Sequence, residues 1–108
     1  MASEILVERK DGSLDEKYIL VKFRDESIDG VVSLPLAYHE YIADEYRRRT
    51  GRRFEVLGGG RMSIDADSKV IKVYGYSVDF GHAPTDRVAA VVKEHYPNYQ
   101  LITRKYDE

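Results

Sequence analysis

Three short stretches of this 108-residue chain hold side chains suited to protons and anions. The first is "EVLGGGRMSI", Glu55 to Ile64, where Gly58, Gly59 and Gly60 stand in a row and Arg61 follows. A glycine inside an element costs about 0.5–1 kcal/mol relative to alanine, so something must offset this run. Without Cβ atoms, glycines allow positive φ and close approach to the backbone, and successive exposed N–H groups can form an anion nest. Arg61 would add a planar, permanently charged fork for phosphate. The other reading is a bulge or tight turn between strands, with Arg61 on the surface. The string is not GxGxxG. It is not a Walker A loop either, because no Gly-Lys-Ser/Thr follows.

The second stretch is "YHEYIADEY", in which His39 falls on the apolar face of a helix. A neutral imidazole there can take or give a proton near pH 7, or it can be a core histidine satisfied by one hydrogen bond. The third is "VYGYS", where Gly75 interrupts a strong strand and Ser77 falls at its carboxyl end. Exposed amides and a hydroxyl there could hold an anion, although the string by itself reads first as a strand kink followed by a helix-capping turn.

Other candidates are weaker. "DAD" (Asp65–Asp67) suits a hairpin turn, since aspartate is a good turn former. His39, His82 and His95 lack metal-ligand spacing, so no metal or other cofactor is assigned. Arg47, Arg48, Arg49, Arg52 and Arg53 crowd into "RRRTGRR". They could meet RNA or a phosphorylated partner, yet the run has no aromatic residue to stack on bases, so nucleic acid is not the expected partner.

These side chains must be carried by a scaffold. Hydrophobic residues make up 43% of the chain and charged residues 33%, which describes a soluble globular protein of one domain over residues 1–108. No apolar run reaches the roughly 18 residues of a membrane span, and the N-terminus lacks a signal-peptide core. There is no cysteine, which excludes disulfides and cysteine-nucleophile phosphatase chemistry in this chain. A cytoplasmic monomer is expected.

Strands are predicted at "EILVE", Lys17–Phe23, "VVS", "RFEVL", "RMSIDA", Val70–Ser77 and Tyr99–Thr103. A polar turn is predicted at "RKDGSLDE". The first helix is predicted with Ser33 as N-cap and Pro35 in its first turn. Leu36, His39, Ile42, Ala43 and Tyr46 form its apolar face, and Gly51 closes it. Thr85 or Asp86 caps a second helix with a stripe of Val88, Val91, Val92 and His95, ended by Pro97. The pattern predicts an α/β or α+β fold with helices packed on one sheet.

Taken together, "KYILVKF", "YH", "LGGGR", "VYGYS" and "HYPNYQ" follow one another in an order that resembles the Janus family of small protein phosphohistidine phosphatases. The resemblance covers residues 17–99. It implies one mixed sheet of about six strands with helices on both faces. It also implies hydrolysis of the P–N bond of phosphohistidine in proteins, without a metal. His39 matches the family's essential histidine, Lys17 its lysine at the start of the "KY" strand, and Arg61 the arginine after the glycines. Ser77 and the backbone of Val78 and Asp79 match the phosphate-holding loop. Histidine-phosphorylated proteins are the implied partners. Two positions depart: Ser33 stands where the family's enzyme has an arginine, and Asp79 where its loop has a small residue. These departures keep two alternatives open, a phosphoprotein binder without turnover and a general phosphoramidate or phospholysine hydrolase.

Overall fold

The computed structural model describes residues 3–10 and 14–104. Six strands form one sheet in the order β1-β3-β2-β4-β5-β6. They are β1 (Glu4–Val7), β2 (Asp15–Phe23), β3 (Asp29–Ser33), β4 (Phe54–Asp65), β5 (Val70–Tyr74) and β6 (Gln100–Thr103); the helices are α1 (His39–Thr50) and α2 (Thr85–His95). The two outer pairings, β1–β3 and β5–β6, are parallel, and the inner three are antiparallel. This is the mixed α+β sheet expected from the sequence.

Strand β2 lies near the centre, and its middle, Tyr18–Val21, is apolar without a break, as a stretch covered on both faces must be. Its alternation divides the core. Ile19, Val21 and Phe23 pack with Ile42, Ala43 and Tyr46 of α1. Tyr18 and Leu20 pack with Val88, Val91 and Val92 of α2. Each helix thus covers one face, and its apolar stripe decides which of its residues meet the sheet.

Several local expectations are corrected. The glycines do not separate two strands: β4 runs unbroken from Phe54 to Asp65, with a bulge where Leu20 pairs Gly58 and Val21 pairs Val56. Ser33 does not cap α1. It ends β3, buried, opposite Val7 and Tyr18, and α1 begins only at His39, beyond Pro35 and Leu36. Tyr38 occupies the N-cap position with no side-chain cap, and Pro84 does the same for α2 in place of Thr85 or Asp86. Strand β5 stops at Tyr74, because Gly75 turns the chain at φ +74°. His95 is exposed, its Nε2 2.9 Å from the Ser3 carbonyl, and is no part of the α2 stripe.

Other expectations agree with the structure. Gly51 closes α1 in the left-handed region at φ +65°. Asp65 accepts the amides of Asp67 and Ser68, as an aspartate in a turn does. The polar turn predicted over Arg9–Glu16 falls partly outside the described residues, and its last two residues, Asp15 and Glu16, belong to β2 instead. Among those described, no helix is long and apolar enough to cross a membrane.

Candidate active site

The glycine run of β4 is the floor of the site. A methyl group on Gly58, whose φ is +150°, would lie 2.4 Å from the carbonyl oxygen of His82 and 2.5 Å from the Ala83 nitrogen. On Gly59 it would lie 2.7 Å from the Tyr18 carbonyl oxygen, 2.8 Å from His39 Cδ2 and 3.3 Å from Ser77 Cβ. On Gly60 it would lie 2.5 Å from the Tyr74 carbonyl oxygen. Real Cβ atoms do not come so close, so these positions admit only glycine without a shift of backbone. The loop after β5 rests on the bare strand, where the Gly59 amide donates to Gly81 O at 3.0 Å. His39 and Ser77 meet over Gly59.

His39 is the first residue of α1 and only 6% exposed. Its Nε2 lies 2.9 Å from Gly60 O. A carbonyl only accepts, so Nε2 carries the proton and the neutral ring presents a bare lone pair at Nδ1. Burial lowers the histidine's pKa from its ordinary value. The Gly60 bond and the Asp79 carboxylate oppose that shift, whereas the positive charges of Lys17 and Arg61 reinforce it. The imidazole is therefore neutral at pH 7. The positive end of the α1 dipole lies at this residue as well.

Lys17 and Arg61 are direct partners across β2 and β4. Opposite residues of an antiparallel pair share a face. Theirs is the α1 face, since their neighbours Tyr18 and Met62 belong to the α2-side core. Among the described residues, Lys17 makes no ion pair. Arg61 is held: its Nε lies 3.3 Å from Asp15 Oδ2, and the same oxygen accepts the hydroxyl of Tyr74, the β5 partner of Arg61. Asp15 is the residue of this candidate site that sequence reasoning missed. The signal was present, because a two-residue offset from Lys17 places it on the same face, but its partner could be known only from the register.

Ser77 is buried, and its Oγ accepts the Phe80 amide at 3.0 Å. Its backbone is bonded both ways to Gly81. The hydroxyl keeps its own proton to donate. Val78 and Asp79 form the exposed tip of this turn, and among the described residues their amides have no hydrogen-bond partner. The structure thus gathers Lys17, His39, Arg61, Ser77 and Asp79 around one patch of β4.

Ser33 is not part of it. It pairs with Tyr18, on the α2 face, and its Oγ donates to Lys17 O while accepting Arg9 Nη1 at 2.9 Å. Arg9 also reaches the carbonyls of Glu8, Leu14 and Met62. The arginine-rich run is structural in its contacts. Arg47 pairs with Asp44, Arg48 with Glu45, Arg49 with Glu8 and Glu45, and Arg52 with Glu4 and Glu26. Arg47 and Arg52 also lie over the rings of Phe54 and Phe23.

A groove lined by Lys22, Asp29, Arg87 and Glu94 opens beside α2 and away from His39. Its Arg87 is already bidentate to Asp29 at 2.7 and 2.9 Å. Among the described residues, no group of three His, Cys, Asp or Glu could hold a metal ion.

Comparison with known proteins places the sequence in a lineage. The Janus/Ocnus family model matches residues 7–100. The chain is 32% identical over 98 residues to the 14 kDa phosphohistidine phosphatase of Sus scrofa, covering 79% of this chain and 78% of that protein. It is 34% identical over 99 residues to the sex-regulated protein janus-A of Drosophila pseudoobscura pseudoobscura, covering 81% and 66%. With janus-A of Drosophila orena the identity is 38% over 60 residues, 56% of this chain and less than half, 44%, of the relative. With a family match spanning strands β2 to β5 and both helices, the chain belongs to the Janus/Ocnus family.

Proposed function

We propose that this protein hydrolyses the P–N bond of phosphohistidine in proteins. The observation that carries the reading is the hydrogen bond from His39 Nε2 to Gly60 O, which leaves Nδ1 unprotonated on a ring that feels the positive charges of Lys17 and Arg61 and that, with the buried Ser77, lies against Gly59. A phosphoramidate needs a cradle for its oxygens, an activated nucleophile and a proton for the departing nitrogen. Lys17, the terminal nitrogens of Arg61, the Ser77 hydroxyl and the amides of Val78 and Asp79 supply the cradle. Charge stabilisation of this kind is commonly the largest catalytic contribution, about 10²–10³ in rate for one donor.

Two routes fit Nδ1. As general base it takes a proton from water while the water oxygen bonds to phosphorus. The P–N bond breaks with its electron pair going to the departing imidazole nitrogen, which receives the proton back from His39. As nucleophile Nδ1 bonds to phosphorus while the substrate P–N bond breaks, its electron pair going to the departing imidazole nitrogen, which takes a proton from solvent. Water then bonds to that phosphorus, the Nδ1–P bond breaks, and phosphate and neutral His39 are left. Rapid quench with radiolabelled substrate separates them, because the base route leaves no label on His39.

A phosphoprotein binder without turnover is the second reading. Asp79 near His39 motivates it, since a carboxylate there weakens the pull on a dianion. Phosphate release from a histidine-phosphorylated protein in the presence of EDTA decides between the two. Release supports the phosphatase; tight binding without release supports the binder. Phospholysine and phosphoramidate in parallel show whether protein context matters.

A further inference from the structure

Large apolar side chains rarely stay in water without cause when they cluster. Five are exposed among the described residues: Leu14, Tyr38, Tyr41, Tyr76 and Val78. Four of these surround the site. Tyr38 precedes His39, and Tyr41 follows one turn on; Tyr76 and Val78 flank Ser77. Their exposures are 57%, 48%, 58% and 89%. His39 Cδ2 and Ser77 Cβ both lie beside Gly59, so one pair reaches the site from the start of α1 and the other from the loop after β5.

The rings are supported rather than loose. Tyr38 and Tyr41 form an edge-to-face pair with centroids 5.2 Å apart. Tyr76 lies against His82 at 5.3 Å. Held in place, such rings lose little entropy when a partner covers them. Inorganic phosphate or a free phosphoramidate is too small to cover four such side chains.

Charge narrows the partner. The inner cradle is cationic, with Lys17 and Arg61. The rim is acidic: Glu40 lies between the two α1 tyrosines in sequence, and Asp79 follows Val78. Both are exposed, and neither makes an ion pair among the described residues. Tyrosine faces beside carboxylates suit lysine and arginine side chains, through cation–π contact and charge attraction.

We propose that this rim docks a polypeptide segment whose phosphorylated side chain is flanked by basic residues. The proposal rests on the phosphohistidine reading and adds the surface and the sequence context that it selects. The same pair of features reinterprets Asp79: a carboxylate unfavourable to phosphate alone becomes favourable when a lysine or arginine accompanies the phosphate.

The test uses the full chain with two phosphohistidine peptides of equal length, one with Lys and Arg flanks and one with Asp and Glu flanks, alongside phosphoramidate. The basic peptide should have a kcat/KM higher by about tenfold or more. That ratio should shrink several-fold in Glu40→Gln combined with Asp79→Asn. Tyr41→Ala and Tyr76→Ala should raise KM for the basic peptide several-fold more than for phosphoramidate; circular dichroism checks that each variant is folded. Equal rates on both peptides would overturn the rim proposal and leave the phosphatase reading standing. If nothing is hydrolysed, the phosphatase reading fails, and fluorescence titration of the same labelled peptides decides the rim. Binding of the basic peptide that Tyr41→Ala and Tyr76→Ala leave unchanged would overturn it.

Discussion

His39 Nε2 donates to the carbonyl oxygen of Gly60 across 2.9 Å, tying the first residue of a helix to the middle of a strand. That bond fixes the ring's tautomer and its orientation together. It is possible only because Gly59, the adjoining residue, has no side chain to hold the imidazole away.

Gly59→Ala should therefore be costly twice. The added methyl would meet Tyr18 O and His39 Cδ2 at less than 3 Å, so strand or helix must move. Overpacking of this kind costs about 1–3 kcal/mol, read as a lower midpoint in urea or thermal unfolding. Activity measured well below that midpoint should also fall, because the ring is displaced. A variant of wild-type stability and activity would contradict the described packing.

Asp15→Asn tests how Arg61 is held. The carboxylate fixes Arg61 through Nε, leaving the terminal nitrogens for the ligand. Loss of orientation should lower kcat by about tenfold. KM should not rise, since a negative charge has been removed from beside the cradle. A rise in KM with unchanged kcat would mean that Asp15 contributes to binding by some other route.

The pH profile follows from the lowered pKa of His39, caused first by burial. The basic form persists below the ordinary 6.5, so the acid limb of kcat/KM should lie under that value. Asp79→Asn removes a charge that raises the pKa, and the limb should move further down. Stability follows the same group. The unfolded chain takes up this proton near 6.5 and the folded chain only at lower pH, so this contribution is intact above about 6.5 and is lost as the pH falls through that window. An acid limb well above 6.5 in the free enzyme would contradict the neutral ring.

The α1 face and the α2 stripe were legible because Ile42, Ala43, Tyr46, Val88, Val91 and Val92 follow the helical period into two opposed cores. His39 was legible as a position on that face, but not as a base; the bond to Gly60 joins residues 21 apart and depends on tertiary packing. The glycines read as a bulge or tight turn between two strands, because local propensity argues against three glycines in a strand; the bulge is present at Gly58, but inside the one strand β4. What overrides propensity is the loop from Gly75 to Ala83 lying on them, which no local pattern reveals. Ser33 looked like a cap because serine before proline suits a helix start. Its pairing with Tyr18 and its bonds to Arg9 and Lys17 keep it in the sheet. Asp15 was passed over since its relation to Arg61 and Tyr74 exists only in the register of three strands.

The most direct test of the central claim is phosphate release from a histidine-phosphorylated protein, with EDTA present, by wild type and His39→Ala. The account predicts turnover by wild type and a loss of about 10²–10⁴ in the folded variant. A folded His39→Ala protein that retains wild-type rates would contradict it, and would make His39 a core residue rather than the group that activates the nucleophile.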